Sequence, residues 1–288
     1  MKLKTKDVTK GILFAGCSFT WGQGLYYYSN MSTLKEPPPD AYNSNLVTDA
    51  HNEFRKTLYY PRLVANHFNT FEVVKIENGG SEVTSFDYMK CAFGLMGPIS
   101  NYIQNKFSFD EIEYIVFQTS QPQRNTYYYD FKYADGTIEK CEFRTFSSET
   151  HNKFYRYLVE QKKCTFDDWF AEHCKDWFNR IKQQLQVYEN KGIKTFILNW
   201  EEDYIPFYKD DEWMRNRLIT FEYDGKPYNT IRTMMNENKR LHINADFQHF
   251  KEAPQDHHPS KECHQIIATA VIKKIEESKI KKYESKLI

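Results

Sequence analysis

Short apolar runs alternate with longer amphipathic stretches along this chain, and that alternation constrains the fold more than any other feature. Runs at 11–16, 71–76, 113–119, 194–199 and, more weakly, 240–244 are short and bounded by polar or turn residues, so each reads as a strand. Strands separated by helices predict crossover connections, hence a mostly parallel sheet of five strands in an α/β fold. The intervening helices carry apolar residues at helical spacing. Phe54, Leu58, Leu63, Val64 and Phe68 mark the first, with Pro61 at or near its start. Trp169, Phe170, Trp177, Ile181 and Leu185 mark a helix over 166–190, closed by Gly192. Ile266, Ile267, Ala270, Val271 and Ile275 mark the last, over about 260–282, with a lysine-rich end suited to a helix C-terminus.

Two segments break the repeat. Residues 125–146 flank Asp135-Gly136, and residues 219–231 flank Asp224-Gly225; both predict β-hairpins. A polar loop at 26–52 contains Pro37-Pro38-Pro39. The chain therefore reads as a single domain over 1–288, with insertions at about 26–52, 125–165 and 205–235. The Tyr127-Tyr128-Tyr129 hairpin is either a wall over a site at the sheet edge or a solvent-facing addition with one buried face.

Bulk properties exclude several roles. Lys and Arg together number 39, as do Asp and Glu, so no general basic field favours nucleic acid. No apolar run reaches the length of a membrane span. The basic start, Met1 to Asp7, leads into an apolar stretch that serves as the first strand, not a signal peptide, which predicts a cytoplasmic protein. Six scattered cysteines without a Cys-x-x-Cys pair read as free thiols.

The first strand carries the chemistry. Ile12-Leu13-Phe14-Ala15 runs into Gly16, and Ser18 sits at the tip of the turn. In open α/β sheets the carboxyl edge is where ligands bind. A serine there is either a helix N-cap or a nucleophile beside free backbone N–H groups. Near the other end stands Asp256-His257-His258-Pro259-Ser260, followed by Cys263-His264.

Together these segments resemble the SGNH (GDSL-type) hydrolase family, in the variant seen in bacteriophages and marine bacteria. That family carries its nucleophile in an early Gly-Asp-Ser-Phe-Thr-like block and its acid and base in a late Asp-x-(x)-His-Pro block. The resemblance spans nearly the whole chain, its ends 240 residues apart. It implies a flavodoxin-like three-layer sandwich and a triad of Ser18, His258 and Asp256. The second block matches Asn78-Gly79-Gly80-Ser81-Glu82-Val83, with Val83 where the family has glycine, so Gly80 or Ser81 would join the Ser18 N–H as oxyanion donors. The third block falls on Ser120-Gln121-Pro122-Gln123, which places Pro122 where the family has its oxyanion asparagine. Gln121 or Gln123 would then supply the side-chain amide. Cys17 replaces the aspartate that usually precedes the serine; its side chain should point away from that of Ser18 and pack as a thiol. Trp21, Arg124 and Tyr127 are candidate substrate contacts.

The activity implied is hydrolysis of an ester by a serine nucleophile, with O-acetyl groups on carbohydrate as one substrate class. The partner is then a small-molecule or glycan ester, with no cofactor, no nucleic acid and no membrane; a phage-encoded member would be virion-associated. His257 competes with His258 as the base, but the following proline and the spacing to Asp256 favour His258. His264 suits a packing or hydrogen-bonding role. Histidines 242, 249, 257, 258 and 264 crowd together without the i, i+4 spacing of a zinc helix, so no metal is expected. Gly16 to Gly24 lacks dinucleotide-binding glycine spacing. The rival reading is a scaffold of the same fold that binds a glycan or protein partner without turnover.

Overall fold

The computed structural model describes residues 10–30, 49–74, 82–95, 107–143, 148–248 and 257–284. Strands β1 (Gly11–Ala15), β2 (Glu72–Val74), β3 (Ile112–Gln118) and β6 (Lys194–Leu198) form one sheet in the order β2-β1-β3-β6. All three pairings are parallel, with Ala15 beside Phe117 and Gln118 beside Leu198. The side chains alternate between faces, as the two-residue period requires. Ile12, Phe14, Tyr114, Val116, Phe196 and Leu198 face one core; Leu13, Ala15, Ile115, Phe117 and Ile197 face another.

A sheet apolar on both faces needs helices on both. Among the described residues, helices α1 (Ser18–Trp21), α2 (Asp49–Leu58), α3 (Tyr60–His67) and α4 (Glu82–Ala92) precede β3. Helices α5 (Ser148–Arg156) and α6 (Phe166–Glu189) follow, and Lys261–Glu284 forms the last. Tyr60 and Val64 of α3 share the first core with Ile267, Val271 and Ile275 of the last helix. Met89 of α4 and Trp177, Ile181 and Leu185 of α6 fill the second. Helix α6 starts where a capping box fixes it: Thr165 Oγ1 accepts from the Asp168 N–H, and the Asp168 carboxylate accepts from the Thr165 N–H. It ends before Gly192, which sits at φ 86. No helix among the described residues is long and apolar enough to cross a membrane.

The expectation of a fifth strand at 240–244 needs correction. Lys239–Leu241 is a 3-10 turn and Ile243–Asp246 a helical turn. Leu241 and Ile243 are buried there, but their backbone groups are taken elsewhere: Leu241 C=O accepts from Ser260 N–H and Ile243 N–H donates to His258 C=O. The open side of β6 is bridged instead by Leu218, with Ile197 N–H donating to Arg217 C=O and Ile219 N–H to Ile197 C=O, both at 2.9 Å.

Both hairpins form. Strands β4 (Tyr127–Lys132) and β5 (Ile138–Phe143) pair antiparallel, as do β7 (Phe221–Tyr223) and β8 (Lys226–Tyr228). Asp224 at φ 49 and Gly225 at φ 75 give the left-handed pair that a two-residue hairpin turn demands. The β7–β8 insertion is part of the main core, since Phe221, Tyr223 and Tyr228 pack with the residues of the last helix. The β4–β5 hairpin has its own cluster: Tyr129, Phe131 and Phe143 against Phe154, Tyr157, Leu158 and Trp169. Tyr128 points to solvent.

Candidate active site

Strand β1 delivers Ser18 to the carboxyl edge of the sheet. Cys17 caps α1 in extended conformation, and Gly22 ends the helix at φ 74. The turn at Gly16 is held tightly. Ser85 Oγ on α4 donates to Gly16 C=O at 3.1 Å. A Cβ at Gly16 would lie 2.3 Å from Thr20 Oγ1 and 2.7 Å from Gln118 Cβ. Below the turn, Thr20 Oγ1 donates to Gln118 Oε1 at 2.6 Å; with its one proton used, it accepts from Tyr60 OH at 3.1 Å. Gln118 Nε2 lies 2.9 Å from Cys17 Sγ. The cysteine therefore points into the core, while the Ser18 hydroxyl turns the other way, toward His258 of the cleft wall. Gly16→Val would force this network apart. The expected loss is about 2–3 kcal/mol of unfolding free energy, measured by urea titration. Unchanged stability would show that the turn can relax around a side chain.

Ser18 Oγ lies 3.0 Å from His258 Nε2, across 240 residues of sequence. With that nitrogen unprotonated, the hydroxyl donates to it. The histidine reaches this place because its loop is pinned on both sides. Ile243 N–H donates to His258 C=O at 2.9 Å, Ser260 N–H to Leu241 C=O at 2.7 Å, and His242 and Pro259 form an antiparallel bridge. Ser260 Oγ accepts from the Cys263 N–H at 3.3 Å and so caps the last helix. His242 sets its two ring nitrogens 3.1 Å from His257 C=O and Met235 C=O. Burial holds this ring below the ordinary imidazole pKa, so it donates to one carbonyl at a time. Phe19 packs on His258 with ring centres 4.8 Å apart and stacks on Trp200 at 3.6 Å.

The other expected site residues divide. Asp256, Gly80 and Ser81 lie outside the described residues, as do the side chains of Trp21 and Gln123. Gln121 and Arg124 line the cleft beside His258, flanking Pro122 in a 3-10 turn. Gln121 Nε2 donates to Glu201 Oε1 at 2.7 Å, so one amide N–H is already engaged. Tyr127 is no part of the cleft wall: its ring packs edge-on against Phe154 and Trp169. The hairpin packs on Trp169 of α6, away from the cleft. His173 bonds the Pro122 carbonyl and packs on Trp169, and burial pushes its pKa down to about 4, which keeps it neutral. His257 is exposed at the cleft, and His264 is buried, its Nδ1 accepting from Tyr60 N–H at 3.2 Å. Among the described residues, no group of His, Cys, Asp or Glu is arranged to hold a metal ion.

Sequence reasoning did not pick out Trp200, Glu201, Arg232, Lys239 or His242 for this site. Trp200 and Glu201 had a signal: they follow β6 as Ser18 follows β1, so they emerge at the same edge. Arg232 and Lys239 come from the third insertion and its sequel, and nothing local marks them. Comparison of the chain with family models, curated proteins and solved structures gives no match.

Proposed function

We propose that this chain is a serine-dependent ester hydrolase of the SGNH type, with a carbohydrate ester among the substrates it would fit. The observation that carries the reading is the 3.0 Å contact between Ser18 Oγ and His258 Nε2 at the carboxyl edge of a parallel sheet. The strand order supports it. In β2-β1-β3-β6 the direction of winding reverses between β1 and β3, the position at which open α/β sheets bind ligands. That order is also the beginning of the flavodoxin-like sequence of strands, with Leu218 standing where a fifth would pair. With helices on both faces, the reading is a three-layer sandwich of one domain.

In this mechanism Ser18 Oγ attacks the ester carbonyl as His258 Nε2 takes its proton. The tetrahedral oxyanion would be met by the Ser18 N–H and, as the resemblance implies, by a donor from Gly80 or Ser81. His258 returns the proton to the departing alkoxide, and water then cleaves the acyl-enzyme by the same route. Asp256 would orient the imidazole through Nδ1. A missing oxyanion donor costs about 3–4 kcal/mol of barrier in serine hydrolases. With Pro122 in the asparagine's place, the second N–H of Gln121 would serve as the side-chain donor, its amide oriented by Glu201.

The test is covalent labelling. A fluorophosphonate should form a phosphorus–oxygen bond to Ser18 Oγ with loss of fluoride, and peptide mapping should place the adduct there. Label on another residue, or none on folded protein, would pass the weight to a binding scaffold of the same fold.

A further inference from the structure

The cleft beside Ser18 and His258 has a volume of about 650 Å³ and an uneven distribution of charge. Its wall holds Arg124, Arg232 and Lys239 and, among the described residues, no carboxylate. The chain as a whole is balanced, with 39 basic and 39 acidic residues, so this bias is local. A second cleft, between the β7–β8 hairpin and the last helix, shows the contrast. It is of similar size, about 610 Å³, and sets Glu222, Asp224, Glu262 and Glu277 against Lys273 and Lys274.

Glu201 accepts from two residues of that wall, the Arg232 guanidinium and the Gln121 amide. This fixes the direction of the guanidinium and offsets part of its charge, which leaves Arg124 and Lys239 to carry most of the bias; Glu201 itself does not line the cleft. Lys239 is exposed at the same cleft, and its ammonium makes no hydrogen bond or ion pair among the described residues. Asn236, Asn244 and Gln248 add neutral donors and acceptors, while Trp200 and Phe19 give an apolar face. A low-dielectric wall lined by one sign of charge concentrates ligands of the other sign.

Resting on the esterase reading above, we propose that the substrate is an anionic ester: an acyl ester carrying a carboxylate or phosphate group, which Arg232, Lys239 and Arg124 receive while Ser18 attacks the carbonyl. Guanidinium groups suit either oxyanion through paired N–H donors, and a mobile ammonium adds a point charge. The polar amides suit a hydroxylated body, so an acidic sugar ester fits the whole cleft.

Three acetyl esters test this. In 4-acetoxybenzoate, 4-acetoxyphenyl phosphate and neutral 4-acetoxybenzamide, the reacting acetyl group is the same and the far substituent differs. At low salt, kcat/KM for one or both anionic esters should exceed that for the amide at least about tenfold, mainly through KM. The larger of the two gains identifies the oxyanion. The preference should shrink severalfold in 0.5 M NaCl, where screening shortens the reach of exposed charges. Lys239→Glu should cut the anionic-to-neutral ratio at least about fivefold. Hydrolysis of the amide as fast as both anions, with Ser18 labelled by fluorophosphonate, would overturn the anionic preference and leave the esterase reading standing. No hydrolysis of any ester together with no label on Ser18 would overturn both.

Discussion

Ser18→Ala is expected to lower kcat/KM for short acyl esters by at least about three orders of magnitude, with the melting temperature nearly unchanged. The size follows from the role: loss of the nucleophile in serine hydrolases removes on the order of 10⁶ in kcat, and what remains comes from binding and the oxyanion donors. The small effect on stability follows from the site. Ser18 gives up one hydrogen bond to His258, worth about 1 kcal/mol, and alanine fits the space it leaves. The turn itself depends on Gly16, Thr20 and Gln118, none of which touches the hydroxyl. His258→Ala should cost about as much, and the double variant little more than either, since two residues acting in one step are not additive. Steady-state rates on a p-nitrophenyl ester and a thermal melt for each variant check this. Activity that survives in Ser18→Ala would show that another group does the work.

The Ser18–His258 pair was legible because each half announces itself locally. An apolar run followed by Gly-Cys-Ser must turn at the end of a strand, and a histidine before proline and a capping serine must sit in a loop at a helix start. Helix α6 was legible for a similar reason: aromatic residues at helical spacing lie between a capping box at Thr165 and a left-handed Gly192. Position 240–244 failed because a short apolar run is compatible with strand or helical turn, and the choice was made by the partners. Leu241 and Ile243 bury their side chains as a strand would, yet their backbone groups hold the His258 loop. In that sense the segment serves the site more directly than a fifth strand would. The charge of the cleft was illegible for another reason. Arg124, Arg232 and Lys239 follow different elements, and only the folded sheet edge gathers them. Gln121 shows the same limit at one residue: its amide is engaged by Glu201, 80 positions away.

Acid is expected to unfold this protein by way of His264. The imidazole is fully buried beneath the site, stacked on the Tyr60 ring. Its Nδ1 accepts the Tyr60 N–H, and its Nε2 has no hydrogen-bond partner among the described residues. To take a proton, Nδ1 must give up the Tyr60 N–H and the ring must carry a charge out of reach of water. Burial first, and then the positive charges of Arg55 and His258, push its pKa from 6.5 down to about 3. The unfolded chain, with an ordinary imidazole, therefore binds one more proton than the folded chain between those two values. Stability rises with pH across that window and is lost as pH falls through it, by about 1.4 kcal/mol per pH unit. The full loss below pH 3 is on the order of 5 kcal/mol, comparable with the whole stability of many domains. His173, held down to about 4 by burial beside Trp169, steepens the same descent. Urea titrations from pH 7 to pH 4 should show wild type losing stability throughout. His264→Gln keeps an oxygen for the Tyr60 N–H and has nothing to titrate, so its slope should be shallower by about one proton, even if its stability at pH 7 is lower. Parallel slopes for the two proteins would mean that the proton goes elsewhere and that the buried imidazole does not govern acid unfolding.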